Sequence, residues 1–351
     1  MPKFSGFDIA ILVPDLCTGG GERVTAEIAR ELMSGGRSVF LVTDPSSIPA
    51  DLNALPYSDV RWHPARSRFK LVPVLARLPK ECIVLAVLTA PSILAAFVNI
   101  FLRRRLVVHE HSDVPSLYFA NGTRLKRFFR YLAFHFVMLS AHRILVPSHG
   151  AADRLRSAVM FGSNKIAVAP NPVQDFLTKI RNEGVSIVEP HRVSLNAFLV
   201  GRWSPEKRLV DGVRACIQAQ TFEQVVVVTN AAHEDAAHLT AMGARVYPKY
   251  SALGEFCPST AVLINFSIIE SFSLVIGEWL AAGLLVFSVH SDILEREWSA
   301  YRGFYFIEND GRNLKDIASQ AFDQCSKDVR PQFSARSVTE TVKAILGDDL
   351  G

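Results

Sequence analysis

The chain has 351 residues, 49% of them hydrophobic and 21% charged, with a formal net charge of +4. That length exceeds one ordinary core and suits two domains, and the composition excludes a disordered or fibrous class. The charge excess is modest and no nucleic-acid recognition motif is present, so nucleic acid is not an expected partner.

The charge is unevenly placed. Residues 1–190 hold 23 Lys and Arg against 15 Asp and Glu, whereas the remainder holds 15 against 19. A basic first half favours anionic surfaces such as membranes or phosphate-bearing substrates. The five cysteines, Cys17, Cys82, Cys216, Cys257 and Cys325, are scattered without metal-ligand spacing, as expected for reduced thiols in a cytoplasmic protein. The start MPKFSGFDIAILVP lacks a signal-peptide pattern and runs directly into a strand.

In chain order, Ile9–Val13 reads as a strand, followed by Gly19-Gly20-Gly21 and a helix with Val24, Ile28 and Leu32 on one face. Gly35-Gly36 ends that helix and Val39–Val42 is the next strand. Cys82 to Leu102 is uncharged and about as long as a membrane span. A strand at Ile83–Leu88, a break at Thr89-Ala90-Pro91 and a helix from Ser92 explain it better. Strands at Leu106–His109, Ile144–Val146 and Lys165–Ala169 follow. Residues 174–194 are polar and irregular, which predicts a linker between domains 1–173 and 195–351, with the alternative that the C-terminal helix packs back on the first domain. The second half restarts the rhythm: strand Ala197–Val200, helix Leu209–Gln218, strand Val225–Thr229, a helix near 234–242, and strands Val262–Asn265 and Val286–Val289. Alternation of this kind predicts α/β architecture with two Rossmann-like, doubly wound parallel sheets that bind ligands at the strands' carboxyl ends, facing across a cleft.

Three segments carry chemistry. Gly19–Glu22 joins a strand to a helix, where glycines let backbone amides approach an anion; alone, it is equally a tight turn. Arg202 and Lys207 lie five residues apart in a second strand-to-helix loop and can clamp a diphosphate, unless that loop is simply solvated. The third is Glu270-Ser271-Phe272-Ser273-Leu274-Val275-Ile276-Gly277-Glu278. A helix beginning near Ser271 would set Glu270 beside exposed amides and Glu278 two turns along. Glu278 sits among apolar residues, where an unpaired carboxylate is costly, so a cap plus a surface glutamate explains it poorly.

In order, spacing and context these segments resemble glycosyltransferase family 4, a family of retaining GT-B enzymes. Gly19–Glu22 resembles its early glycine loop, Gly201–Lys207 its Gly-Arg…Glu-Lys loop, and Glu270…Glu278 its Glu-(seven residues)-Glu motif. Val146-Pro147-Ser148 and Ala169–Val173 resemble segments that end its first domain. The resemblance implies that Gly20 and Gly21 lie at the donor and that Arg202 and Lys207 hold its diphosphate. It further implies that Glu270 lies against the donor sugar, with the amides of Phe272, Ser273 and Leu274 (and neighbouring Ser271) at sugar and phosphate, and that Glu278 binds the ribose. A histidine ending a first-domain strand would lie near the reacting carbon: His111, with His109 as the adjacent rival. Leu285, His290-Ser291-Asp292 and Ser273 depart from the family's usual proline, glycine-rich loop and glycine.

No Asp-x-Asp lies near a predicted strand end, and Asp348-Asp349 falls in the terminal tail. Cationic clamps and helix amides would then stabilise the departing nucleoside diphosphate, with no metal or cofactor expected. The stretches Arg124–Leu132 and Arg66–Lys80 mix cations with apolar residues and suit an anionic bilayer or an ordinary amphipathic helix. With the family resemblance they imply a peripheral enzyme at the inner membrane face that moves a hexose or N-acetylhexosamine from a nucleotide-sugar, UDP being expected ahead of GDP, to a lipid-linked glycan of bacterial surface polysaccharide. A UDP-sugar epimerase and a non-catalytic sugar-nucleotide-binding protein are the competing readings.

Overall fold

The computed structural model describes residues 8–14, 19–43, 75–119, 122–188, 195–325 and 331–347. The readings of Cys17, Arg66–Lys70, Leu71–Val74, Glu189-Pro190 and Asp348-Asp349 lie outside the described residues. Two compact units emerge: residues 1–172 with 337–351, and residues 173–336.

The first unit is built on a six-stranded sheet, all of its strand pairs parallel. The strands are β1 (Ile9–Leu12), β2 (Val39–Val42), β3 (Ile83–Val87), β4 (Leu106–His109), β5 (Arg143–Val146) and β6 (Ile166–Val168), in the order β2-β1-β3-β4-β5-β6. Nearly every residue of β1 to β5 is buried, so these strands read as continuous apolar runs rather than alternating ones. The helices are α1 (Gly20–Ser34), α2 (Thr89–Leu102), α3 (Arg124–Ser140) and α4 (His149–Ala158). Thr123 caps α3 and Ser148 caps α4, each side chain accepting a backbone amide.

The segment Cys82–Leu102 is a strand followed by a helix, and no described helix is long and apolar enough to cross a membrane. The helix starts at Thr89 rather than Ser92. Pro91 falls within its first turn, where a missing N–H removes no intrahelical bond, and the turn is made instead at Leu88 with φ 70°.

In the second unit α5 (Phe176–Asn182) and β7 (Ser186–Ile187) precede β8 (Leu195–Val200), α6 (Leu209–Ala219), β9 (Phe222–Val228), α7 (His233–Ala241) and β10 (Arg245–Tyr247). Then come β11 (Glu255–Phe256), β12 (Ala261–Asn265), α8 (Leu274–Ala281), β13 (Leu285–Val289), α9 (Asp292–Trp298), β14 (Phe304–Ile307) and α10 (Leu314–Cys325). The main sheet, again parallel, runs β10-β9-β8-β12-β13-β14, and β11 pairs with β7 apart from it. Strand order reverses between β8 and β12, and the loops that leave these neighbours are Gly201–Arg208 and Phe266–Ser273. In such sheets this reversal point is where ligands bind.

One boundary differs from the sequence expectation. Residues 174–188 belong to the second unit. Asp175 accepts the Thr178 amide at 2.8 Å to cap α5, and fully buried Phe176 stacks on Trp279 at 4.8 Å. Average polarity hid a short amphipathic helix, because only Phe176 and Ile180 face the core. The last helix, α11 (Thr339–Leu346), belongs to the first unit. Arg105 donates to the Leu346 carbonyl at 2.6 Å, Arg143 to Ala344 at 3.1 Å, and Thr341 to Pro170 at 2.5 Å. Cys82 and Cys216 are buried free thiols, and burial pushes the Cys82 thiol up to about 12.

Candidate functional site

In the second unit Lys207 and Glu270, two of the residues expected at the donor, meet at the reversal point. A single 3₁₀ turn, Pro205–Lys207, follows β8, and Arg208 leaves it with φ 48°. This turn aims Lys207 at the loop from β12, where its Nζ lies 2.6 Å from Glu270 Oε1. Both side chains are mostly buried, at 20% and 10% exposure, so the pair is shielded more than a surface ion pair. The Ile268 amide donates to the Glu206 carbonyl at 3.0 Å, and the Trp203 amide to Asn230 Oδ1 at 2.8 Å. Loops from three adjacent strands are thus tied together. Arg202 is exposed beside them.

The segment between Glu270 and the helix is fixed by Phe272. Its ring is buried 4.9 Å from that of Trp298, and its carbonyl accepts Trp298 Nε1–H at 2.8 Å. The helix begins at Leu274, not near Ser271, because Ser273 adopts φ 64° and ψ 87°. Glu270 therefore precedes the helix by four residues, and the free amides of its first turn start at Leu274. A serine held in the left-handed region costs about 1–3 kcal/mol. Ser273→Gly is expected to raise stability by roughly 1 kcal/mol, since glycine's own chain-entropy cost offsets part of the relief; a denaturant titration measures it.

Glu278 has a partner that sequence reasoning missed. It is 1% exposed and 2.9 Å from Lys179 Nζ on α5, which also sits 5.0 Å over the Tyr250 ring. The signal lay in the stretch read as a linker. The carboxylate faces this lysine inside the unit, so contact with a ribose would have to be made beside Lys179. Gly277, one residue earlier, is required by packing: a Cβ there would meet Trp298 at 2.9 Å.

In the first unit the structure brings Gly21 and His111 together. A Cβ on Gly21 would lie 2.8 Å from His111 Cγ, so the glycine at the start of α1 makes room for the imidazole. His109 and His111 leave the end of β4 with ring centroids 4.0 Å apart. Between them Glu110, fully buried, accepts Thr89 Oγ1–H at 2.6 Å and the Ser112 amide at 3.1 Å. Sequence reasoning quoted Glu110 only as part of the strand; its two partners lie in the turn and at the start of α2.

Burial holds His109 well below the ordinary histidine range, with His111 adding to the effect, and lowers His111 from 6.5 to about 4. Both imidazoles are therefore neutral at pH 7. As pH falls from 6.5 towards 4, unfolded His111 binds a proton that the folded state still refuses, so stability falls. Burial raises the Glu110 carboxyl and acts in the opposite direction. The expected result is that the loss of melting temperature between pH 7 and pH 5 shrinks in His111→Asn.

For metal binding, His290, Asp292 and Glu295 are the one trio among the described residues whose ligand atoms lie within 4.8 Å of one another. All three are exposed, and the His290 ring already meets Glu295 at 3.1 Å.

Two α/β units with parallel sheets define the chain as having the GT-B glycosyltransferase fold. A structure of Anabaena Alr3699/HepE with UDP and glucose matches at TM-score 0.67 and 14% identity, covering 96% of this chain and 94% of that one. A glycosyltransferase from Rickettsia africae matches at TM-score 0.71 and 15% identity, covering 98% and 100%. A Listeria monocytogenes protein provisionally assigned as a UDP-N-acetylglucosamine 2-epimerase matches at TM-score 0.61 and 12% identity, covering 98% and 97%. Fold alone therefore does not choose between transfer and epimerisation. By sequence, residues 18–175 match the profile of Glycosyltransferase Family 4, which bears out the family resemblance. No curated protein matches the chain by sequence.

Proposed function

We propose that the chain is a retaining, metal-independent hexosyltransferase that moves a hexose or N-acetylhexosamine from a nucleotide-sugar to a glycan or lipid-linked acceptor, in bacterial surface polysaccharide assembly at the cytoplasmic face of the membrane. UDP-sugars are the favoured donors, in keeping with the UDP and UDP-glucose held by the similar HepE structures.

The observation that carries the reading is the Lys207–Glu270 pair at the sheet's reversal point, with Arg202 exposed beside it and a helix start just beyond. A diphosphate competes with Glu270 for Lys207, and Arg202 adds a planar, forked donor to the same anion. Two cations and the first amides of α8 would stabilise the charge that develops as the nucleoside diphosphate leaves, the role a divalent ion otherwise takes. Glu270, released from Lys207, is free to accept hydroxyls of the donor sugar. No covalent nucleophile is assigned. The acceptor hydroxyl attacks from the face the diphosphate leaves, and positioning supplies the remainder. His111 is the first unit's proposed contribution, as a neutral imidazole.

The test is nucleoside diphosphate release from UDP-sugars and GDP-mannose in EDTA, with and without lipid-linked acceptors, and NMR assignment of the product's anomeric configuration. Release that survives EDTA, requires an acceptor and yields the donor's own configuration is expected. Conversion of a UDP-sugar without acceptor would establish the epimerase reading. Activity lost in EDTA and restored by a divalent ion would overturn metal independence.

A further inference from the structure

Of the twelve large apolar side chains that are exposed in the described chain, ten fall between Phe97 and Phe161, all in the first unit. That concentration is not the scatter expected of an ordinary surface. It centres on α3. One stripe of this helix, including Phe134, Val137 and Met138, is buried in the core. A second stripe, Leu125, Phe128, Phe129, Leu132 and Leu139, is 47–65% exposed. The spacing of three, four and seven residues places these on one outward face about 21 Å long. Packing of an amphipathic helix against its core accounts for the first stripe only.

Neighbouring elements extend the outer face. Phe97, on α2, contacts Phe136 of α3 at 6.2 Å between ring centroids, and it leads to Ile100 and Phe101, the latter 78% exposed. On the other flank Phe161, 58% exposed, lies against the His135 ring. A recess of about 490 Å³ between α2 and α3 is lined by Ile100, Arg103, Arg104, Phe136 and Leu139. Neither helix contains an acidic residue, whereas Arg124, Lys126, Arg127 and Arg130 occupy the first two turns of α3 and Arg103 follows α2.

We propose that this α2–α3 face is a docking surface for an anionic phospholipid bilayer, with the aromatic side chains entering the headgroup region and exposed Arg103, at the recess, meeting a lipid phosphate. Charge decides the occupant. A face that is apolar along its length, cationic at its flanks and free of carboxylates complements anionic headgroups, and each basic residue near such a surface adds measurably to binding. No described helix can span the bilayer, so the contact lies on its surface. The inference deepens the membrane placement proposed above, but it stands on α2 and α3, apart from the donor residues.

The experiment is flotation of the full chain with neutral phosphatidylcholine vesicles and with vesicles enriched in phosphatidylglycerol, UDP binding being measured on the same protein. Wild type is expected to float with the anionic vesicles only. Arg124→Gln/Lys126→Gln/Arg127→Gln should weaken partitioning roughly a hundredfold. Phe128→Ser/Phe129→Ser should weaken it at least about tenfold. Protein that binds UDP yet stays with the buffer overturns the docking surface and leaves the donor reading intact. Equal flotation by all three proteins also overturns it. Self-association in sedimentation that is abolished by Phe128→Ser/Phe129→Ser assigns the face to a second copy instead.

Discussion

Lys207→Ala is expected to lower donor turnover by about two to three orders of magnitude, the usual consequence of removing one preorganised group from a site of developing negative charge. The lysine stem runs along Gly201, 3.5 Å from where a Cβ would stand, so its ammonium arrives with little freedom left to lose. Removing it withdraws one of the two cations proposed for the diphosphate and strands Glu270, its partner at 2.6 Å. Steady-state kinetics on the best donor measures the effect. A fall in kcat and kcat/KM together would place Lys207 in the transition state, whereas a rise in KM alone would confine it to donor binding. Lys207→Arg keeps the charge but alters its geometry, and it should recover part of the activity. Turnover equal to wild type in Lys207→Ala would remove this residue from the chemistry.

The largest effect on stability is expected at Lys179→Met. Glu278 is 1% exposed and Lys179 13% exposed, so the mutation leaves a carboxylate in a low-dielectric interior without its counter-ion. Breaking a buried pair on one side costs about 3–5 kcal/mol, whereas replacing both partners by apolar residues of similar volume can be nearly neutral. Lys179→Met/Glu278→Leu should therefore recover most of what the single change loses. Trp279, stacked on Phe176 one turn from Lys179, reports the second unit's unfolding by fluorescence in a denaturant titration. A single mutant as stable as wild type would show that Glu278 is satisfied without Lys179.

Much of the fold was legible because parallel strands announce themselves as short apolar runs. Ile9–Leu12, Ile83–Val87 and Ala261–Asn265 are buried at nearly every position, and only their ends shifted by a residue or two. The motif residues were legible as types and spacings. What the sequence could not supply is which side chains meet. The Lys207–Glu270 pair spans 63 positions and Lys179–Glu278 spans 99, and no local period encodes either contact. The room that Gly21 leaves for His111 is hidden for the same reason, since it depends on how α1 approaches the end of β4. The late start of α8 follows from one backbone angle at Ser273, a conformation that a serine does not advertise. The last helix follows the second domain in sequence, yet three hydrogen bonds from Thr341, Arg105 and Arg143 tie it to the first unit.

The central claim is that the reversal point of the second sheet holds a nucleoside diphosphate through Lys207 and Arg202. Isothermal calorimetry of UDP and GDP binding in the presence of EDTA tests it most directly, with wild type, Lys207→Ala and Arg202→Ala compared at matched folding by circular dichroism. The account predicts metal-independent binding of UDP by wild type, weakened in each variant, with GDP the poorer ligand. Binding of either nucleotide that is indifferent to both substitutions, or that appears only when a divalent ion replaces EDTA, would contradict it.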